Sequence, residues 1–327
     1  MRRLYLIAAT LVQLALAGGV HAQPSSAPGS YPEKPVRVIV PVAPGGGTDL
    51  IARVVMGKLT EAMGGPFVID NRAGAGGILG NEIVARSQPD GYTLLFTYAA
   101  HTIVPFIYSK IPYDVYKDFT PITMVGAQPL LLALHPSVKA NTVQELIAEA
   151  KAKPRALNVA LATPSSSGAL AAELFKMLTH TEMVSVPFKG GAPAMTALLG
   201  GEVQLIFGTP PVVMPFVKSG KVKVIGVTGK ERVRYLPDVP TLIESGVRDF
   251  NTAPWQGIIA PAKTPPAIID KLYRQTLEIL KTSYVRERFD AAGTEVVGSS
   301  PKEFGELIRR ELEQNRKVIK AVGMKAD

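Results

Sequence analysis

Residues 36–49 read Val36-Arg-Val-Ile-Val-Pro-Val-Ala-Pro-Gly-Gly-Gly-Thr-Asp49, and an apolar run with helical spacing follows them. This pattern predicts a short strand over 36–42, a glycine turn, and a helix to Met63 that is capped by Thr48 or Asp49. The free N–H groups of a helix start suit an anion. Because the loop lacks the Gly-Lys-Ser/Thr of a nucleotide-binding P-loop, we expect a small-anion site here.

Strands and helices alternate beyond this stretch. The second strand, Phe67–Asp70, leads through a glycine-rich loop into a helix, and the third strand is Tyr92–Tyr98. A β-α-β-α-β run predicts a parallel sheet with right-handed crossovers. A second α/β unit runs from Val143 to Val227, and a looser proline- and aromatic-rich segment over 105–119 precedes it.

Three helical stretches, Pro266–Lys281, Tyr284–Ala291 and Pro301–Val322, end the chain. They have no β-α-β partner of their own, so we expect them to pack back on the first unit. The sequence therefore predicts two α/β lobes, with 36–124 and 253–327 in lobe 1 and 125–252 in lobe 2. A small ligand is usually held in the cleft between such lobes.

The N-terminus has the pattern of a secretory signal peptide. Met1-Arg-Arg is basic, Leu4–Ala17 is apolar, and Val20-His-Ala22 is a small-residue exit signal. We expect a signal peptide over 1–22, cleaved after Ala22, and an extended proline-rich lead-in over 23–35. An uncleaved membrane anchor is the alternative, but the apolar run is short for a span.

Composition narrows the possible functions. The chain has 327 residues, 46% of them hydrophobic, and no cysteine, which excludes disulfides and thiol catalysis. A cysteine-free secreted chain of this size fits a bacterial periplasm. The formal net charge is +9, but basic and acidic residues alternate along the chain. A surface of mixed charge is therefore favoured over a nucleic-acid-binding surface. No metal-ligand spacing is present, and we expect neither metal nor cofactor.

The glycines after the second strand do not make a dinucleotide site. Gly74, Gly76, Gly77 and Gly80 fail the G-x-G-x-x-G spacing because Leu79 stands at the third glycine position. Glycines that permit a tight turn and close helix packing explain the pattern better.

A serine loop, Thr163-Pro-Ser-Ser-Ser-Gly168, lies between a predicted strand and helix. It lacks the G-x-S-x-G of a nucleophile elbow, and His101, His135 and His180 lie in unrelated contexts, although a secreted serine hydrolase remains an alternative. The better interpretation is a second anion cradle, in which Ser165–Ser167 present hydroxyls and N–H groups at a helix start. His101 follows the third strand and could reach the cleft, with a structural histidine as the alternative.

Many segments in order resemble one family, the periplasmic solute-binding (Bug-type) receptors of tripartite tricarboxylate transporters. The matching segments span almost the whole chain after residue 30. They include Tyr31-Pro-x-Lys-Pro-Val-Arg-x-Ile-Val-Pro41, Pro44-Gly-Gly46, Asp70-Asn-Arg-x-Gly-Ala-Gly-Gly77, Pro89-Asp-Gly-Tyr-Thr-Leu-Leu95, Pro187-Phe-Lys-Gly-x-x-Pro193, Leu236-Pro-Asp-Val-Pro-Thr241 and Trp255-x-Gly257. The resemblance implies a two-lobed periplasmic binding protein of the Venus-flytrap type (type II), without catalysis.

The resemblance also implies that loop amides, hydroxyls and water hold a small carboxylate. Carried over by position, the binding loops are Ala43–Asp49, Ser165–Gly168 and Gly208–Thr209. Together with His101, the candidate ligand-binding residues are Ala43, Gly46, Gly47, Thr48, Asp49, Ser165, Ser166, Ser167, Gly168, Gly208, Thr209 and His101. Among them, Asp49 and Thr48 are assigned mainly to loop and helix-cap geometry.

Two positions depart from the family pattern. Gly208 stands where many relatives have aspartate, and Ala169 stands where relatives commonly have histidine. The first change removes a partner for a ligand ammonium group, and both remove polar bulk. We therefore expect a di- or aromatic carboxylate without an amino group.

The partner implied by the resemblance is a two-component membrane permease of the tripartite tricarboxylate type. A binding protein that serves a sensor kinase is a further alternative, because nothing in the chain identifies the docking partner. We expect a monomer, since opening and closing need free lobes.

Overall fold

The computed structural model describes residues 31–250, 252 and 254–325. The predicted signal peptide over 1–22 and residues 23–30 of the predicted lead-in lie outside the described residues. The helices and strands, in chain order, are β1 Val36–Val40, α1 Gly47–Met63, β2 Phe67–Asn71, α2 Ile78–Ala85, β3 Thr93–Tyr98, α3 Ala100–Ile107, β4 Phe119–Ala127, β5 Leu131–Leu134, α4 Val143–Ala152, β6 Asn158–Leu161, α5 Ser167–Thr179, β7 Val184–Pro187, α6 Gly191–Leu199, β8 Leu205–Gly208, α7 Pro210–Lys218, β9 Lys223–Val227, β10 Trp255–Pro261, α8 Pro266–Leu280, α9 Ser283–Ala291, β11 Glu295–Val296 and α10 Pro301–Val322.

The first sheet has six strands in the order β11-β4-β10-β3-β1-β2. As the sequence predicts, β1 pairs in parallel with both β2 and β3. The parallel arrangement does not extend beyond these three strands, because β10 runs antiparallel between β3 and β4. This strand arrives directly from the second sheet rather than through a helical crossover, so it enters in the opposite direction.

The second sheet has five strands in the order β7-β6-β8-β5-β9. Its strand β6 pairs in parallel with β7 and β8, while β5 is antiparallel to both β8 and β9. The two sheets with their helices give the mixed α/β, two-lobed architecture that the sequence predicts. Where exactly each lobe begins and ends stays a prediction.

The chain passes between the two sheets after β4 and again before β10, and the crossing segments are hydrogen-bonded. Leu130 N–H donates to Thr228 Oγ1 (2.9 Å), and Thr228 N–H donates to the carbonyl of Leu130 (3.0 Å). Gln128 N–H donates to the carbonyl of Pro254 (2.7 Å). These paired segments hold the two sheets at a common junction, and residues 32–327 form one compact unit.

Helix α3 differs from the loose segment that the sequence predicts around Pro105, which lies inside this helix. A proline cannot donate the helical hydrogen bond, so propensity argues against a helix here. The helix is nevertheless almost wholly apolar, and Ile103 and Ile107 belong to the core of the second sheet. Tertiary burial outweighs the local penalty.

The C-terminal helices pack as expected only in part. Helices α8 and α9 contact α1 in the first unit, but α10 contacts α3 and β4 and also α5, which precedes β7 of the second sheet. Its residues Val318 and Ile319 join the same core as Phe175 of α5. Across the part of the chain that the structure describes, no helix combines the length and apolarity that a membrane crossing requires.

Candidate functional site between the two sheets

Asp49 organises the glycine loop that follows β1. Its Oδ2 accepts hydrogen bonds from Gly45 N–H (2.8 Å) and Arg53 Nε (2.9 Å), and its Oδ1 accepts one from Asn71 Nδ2 (2.8 Å). The side chain is 1% exposed. Burial by itself would raise the pKa of this carboxyl, but the bonds from Arg53, Gly45 and Asn71 outweigh it and hold the pKa below its ordinary value.

The prediction that the side chain of Thr48 or Asp49 caps helix α1 is wrong. Helix α1 begins at Gly47 with Gly46 as its N-cap residue, and no side chain caps it. Thr48 and Asp49 therefore lie in the first helical turn, where the N–H groups of Gly47 and Thr48 have no intrahelical acceptor. Because Asp49 bonds backward to Gly45, it fixes the loop and leaves those N–H groups for a ligand.

In the serine loop, one hydroxyl caps a helix and the other two are not used for the cap. Ser166 is the N-cap of α5: its Oγ accepts from Ala169 N–H (3.1 Å) and donates to the Thr163 carbonyl (2.7 Å). The backbone N–H of Ser166 also donates to the carbonyl of Thr163. Ser165 and Ser167, on either side, are not needed for this cap, so among the three serines their hydroxyls suit a ligand best.

The loop after β2, which Asn71 links to the glycine loop through its bond to Asp49, meets the serine loop across the junction between the sheets. Gly76, in the loop after β2, has φ +66, and a Cβ added to it would lie 3.1 Å from Ser165 Oγ and 3.0 Å from Val104 Cγ2. Ser165 is only 8% exposed as a result. The glycine therefore permits a close approach of loops that belong to different sheets.

The third predicted loop, Gly208–Thr209, ends β8 and starts α7. Gly208 is buried, and a Cβ added to it would lie 2.5 Å from Val213 Cγ2. Thr209 is the N-cap residue of α7, but its side chain makes no capping bond. Beside this loop, Gly168 packs against the Phe207 carbonyl, which leaves no room for a side chain at 168.

A small cavity of about 30 Å³ separates α5 from α3 and α10. Ser167 and Leu170 line one side, and Thr102, Glu311 and Asn315 line the other. No sequence motif marks this polar side, because Glu311 lies in a helix whose charged residues alternate in sign. Across this cavity, Ser167 therefore faces the polar side chains of Thr102, Glu311 and Asn315.

Glu311 is the ionisable group of this cavity. Its Oε2 accepts hydrogen bonds from Trp255 Nε1 (2.8 Å) and from Thr102 Oγ1 (2.8 Å). Burial raises the pKa of Glu311 to about 7, although the bonds from Trp255 and Thr102 oppose the rise. The carboxyl can therefore be protonated near neutral pH.

His101 lies on α3 and does not join the three loops. It lines a different cavity, together with Phe119 and Ile308, and that cavity includes no residue of the glycine or serine loops. Its ring packs edge-on against Phe119, with centroids 5.0 Å apart. Among the described residues, no group of three His, Cys, Asp or Glu side chains is arranged to hold a metal ion.

Comparison with known proteins identifies the family. The family model described as tripartite tricarboxylate transporter family receptor matches residues 51–324. The chain belongs to this receptor family. Protein BugT of Bordetella pertussis is 36% identical over 298 residues, which cover 90% of this chain and 91% of BugT.

Solved structures of receptors similar to this one share its fold. A Rhodopseudomonas palustris protein, MatC, solved with bound malate, is 32% identical, with a TM-score of 0.76 over 88% of this chain and 100% of MatC. A second structure, from R. palustris and solved with adipate, is 33% identical, with a TM-score of 0.80 over 90% of this chain and 99% of the other. The predicted family and fold are thereby confirmed.

Proposed function

We propose that this receptor captures a small dicarboxylate between its two sheets, in the periplasm, and delivers it to a two-component membrane permease. The observation that carries the proposal is the approach of the Gly76 loop of the first sheet to Ser165 of the second, because Asn71, at the start of the Gly76 loop, is bonded to Asp49 of the glycine loop. Neutral donors at helix starts can bind a carboxylate without a buried counter-charge.

Malate and adipate, which are bound to the two similar structures, are both dicarboxylates, and this supports the ligand class. The chain offers two donor loops on different sheets, one for each carboxylate of such a ligand. The glycine loop would present N–H groups of Gly46, Gly47 and Thr48. The serine loop would present Ser165 and Ser167, with Thr209 as a further hydroxyl.

The lack of a side chain at position 208 favours a ligand without an amino group. An acidic residue there could pair with a ligand ammonium, but Val213 occupies the space that its Cβ would need. Leu170 lines the neighbouring cavity and supplies an apolar wall. An aliphatic or aromatic dicarboxylate fits this combination better than an amino acid does.

A thermal-shift screen tests the proposal. The chain lacking residues 1–22 is unfolded and refolded to remove carried-over ligand, then heated with malate, succinate, adipate, terephthalate and L-aspartate. Ligand at about a hundred times its dissociation constant should add roughly 2.7 kcal/mol of stability, an upward shift of a few degrees. We expect a saturable shift with one or more dicarboxylates and a smaller one with L-aspartate.

Serine variants give the control. Ser165→Ala combined with Ser167→Ala should lose most of the ligand-induced shift, whereas Ser219→Ala, an exposed serine with only local bonds to Pro215 and Phe216, should keep it. A shift that survives in the double variant would contradict the site. The absence of a shift with every acid would contradict the ligand class.

A further inference from the structure

The small cavity that separates α5 from α3 and α10 has a single titratable side chain among the described residues that line it. This side chain is Glu311 of α10, and the residues that α3, α5 and the segment before β10 contribute to the lining are uncharged. The volume of about 30 Å³ is enough for about one water molecule. Glu311 therefore faces Ser167 of the serine loop across roughly the width of a water molecule.

The other charged groups on the elements around α10 do not line this cavity. On α5, Lys176 pairs with Glu173 (2.7 Å). His101 of α3 lines a separate cavity, and β4 and β10 have no charged side chain. Arg310, next to Glu311 on α10, favours the ionised form of the carboxyl, but Glu311 makes no ion pair with any described residue. A change of charge within the cavity therefore falls on Glu311.

The hydrogen bonds around Glu311 accommodate its carboxyl in both protonation states. When the carboxyl is ionised, Oε2 accepts from Trp255 Nε1 (2.8 Å) and from Thr102 Oγ1 (2.8 Å). The hydroxyl of Thr102 also lies 2.9 Å from the carbonyl of Ala99, so its proton can turn there and leave Oγ1 to accept from a protonated Glu311. Asn315 Nδ2 donates to Thr102 Oγ1 in either state (3.1 Å). Protonation therefore exchanges partners without leaving a group of this set unpaired.

The second oxygen of the carboxyl, Oε1, accepts no hydrogen bond from any described residue, and Glu311 is only partly buried. Because burial raises the pKa of Glu311 to about 7, the ionised and protonated forms are both populated near neutral pH. A negative charge that arrives at Ser167 raises the pKa of Glu311 further, because a nearby like charge disfavours the ionised form.

We propose that capture of a dicarboxylate at the serine loop is coupled to the uptake of a proton by Glu311. This coupling rests on the interlobe site proposed above and adds a pH dependence to it. A ligand carboxylate held by Ser165 and Ser167 lies across the cavity from Glu311, and two ionised carboxyls at that spacing repel each other. Protonation of Glu311 removes the repulsion and supplies a donor to the intervening water.

The coupling acts equally in both directions. The factor by which the ligand raises the affinity of Glu311 for its proton is the factor by which the proton raises the affinity of the receptor for its ligand. The receptor therefore binds its ligand more tightly in acid and releases it more readily as the pH rises.

Calorimetric titration of the chain lacking residues 1–22 measures the coupling. The probe is whichever of malate, succinate, adipate and terephthalate gives the largest thermal shift, since all four acids are almost fully ionised above pH 6.5. We expect about fivefold tighter binding at pH 6.5 than at pH 8.5. Titration at pH 7.5 in HEPES and in Tris, which differ in ionisation enthalpy, counts the protons, and we expect uptake of about half a proton per ligand.

Variants of α10 and α3 assign the proton to Glu311. Glu311→Gln mimics the protonated form, so it should bind at pH 8.5 about as tightly as the parent does at pH 6.5 and should take up no proton. A purely structural role of Glu311 would give a loss of affinity instead of this gain. Glu313→Gln, an exposed neighbour on α10, should keep the pH dependence of the parent. Thr102→Val removes a bond to the ionised form and should move the change in affinity to higher pH.

The possible failures can be told apart. Binding without proton uptake, or with uptake that Glu311→Gln retains, would overturn the coupling and leave the proposed function standing. The absence of a thermal shift with all four acids would overturn the proposed function and the coupling with it.

Discussion

The indole N–H of Trp255 donates a 2.8 Å hydrogen bond to Glu311 Oε2, the same oxygen that accepts from the hydroxyl of Thr102. The bond joins the first residue of β10 to the middle of α10, directly beside the segment through which the chain returns from the second sheet. Trp255 is the only tryptophan of the chain, so its emission reports on this contact. Protonation of Glu311 should therefore be both measurable and consequential.

The free energy of unfolding should fall as the pH rises above the ordinary pKa of a glutamate side chain. The pKa of Glu311 is about 7 in the folded protein against 4.5 ordinarily, so the folded state holds this proton more tightly than the unfolded state does. The contribution of Glu311 to stability is full below pH 4.5, is lost between about pH 4.5 and 7, and reaches on the order of 3 kcal/mol. Glu311→Gln keeps an acceptor for Trp255 and should remove this component.

Urea unfolding at pH 5 and pH 8, followed by tryptophan emission, measures that component. The loss of unfolding free energy from pH 5 to pH 8 should be smaller in Glu311→Gln than in the parent. Glu313→Gln, an exposed neighbour on the same helix, should behave as the parent does. The same pH dependence in all three proteins would show that Glu311 is not the group responsible.

Gly76→Ala should weaken ligand binding more than it weakens the fold. An alanine at φ +66 is strained by about 1 kcal/mol, and its Cβ would also press on Val104 and Ser165 where the two loops meet. We expect at least a tenfold loss of affinity for the dicarboxylate found in the screen. Gly64→Ala is the control, because Gly64 has φ +70 and open space around it. Equal affinity in the two variants would contradict the role of the loop contact.

Asp49→Asn should destabilise the protein by about 2–3 kcal/mol. The substitution weakens charge-assisted bonds to Arg53 and Gly45 from a side chain that is 1% exposed. The pKa of Asp49 is lowered in the folded state, so its contribution is present above the ordinary value and is lost as pH falls below it. Denaturant unfolding at pH 7 and pH 3 should show the variant and parent converging in acid.

Asp70→Asn serves as the control for that experiment. Asp70 pairs with Arg37 and Arg72, both of which are largely exposed, so its loss should cost less than about 1 kcal/mol. Comparable destabilisation in the two variants would mean that the buried position of Asp49 does not matter.

The sequence predicted the elements that repeat a local pattern. The strand, glycine loop and helix over 36–63 and the serine loop before α5 are where the spacing placed them, because turn residues and apolar periodicity act within a few positions. Contacts between residues that are far apart in the sequence could not be predicted from these local patterns. Helix α3 contains Pro105 and forms because the core of the second sheet buries Ile103 and Ile107, and the direction of β10 depends on where the chain crosses back.

The polar contacts of the site depended even more on tertiary structure. Asp49 looks like a helix cap in sequence, but it bonds backward to Gly45 and across to Asn71, which is 22 positions away. Glu311 meets Thr102 over a separation of 209 residues. No local pattern encodes either partner, so only the fold could identify these side chains.

Position 208 should determine whether the receptor accepts an amino group. Gly208→Asp alone should destabilise the protein, because its Cβ would lie 2.5 Å from Val213 Cγ2. Val213→Ala frees that space at a cost of about 2 kcal/mol, and Gly208→Asp/Val213→Ala then places a carboxylate beside Thr209. An ammonium group of the ligand gains an opposite charge there, whereas a plain dicarboxylate meets a like charge.

Succinate and L-aspartate differ only by that ammonium group, so calorimetric titration of both acids isolates its effect. We expect the ratio of L-aspartate to succinate affinity to rise at least tenfold in Gly208→Asp/Val213→Ala relative to Val213→Ala alone. Using Val213→Ala as the reference removes the effect of the cavity itself. An unchanged ratio would mean that residue 208 does not face the ligand, and the preference for acids without an amino group would then need another origin.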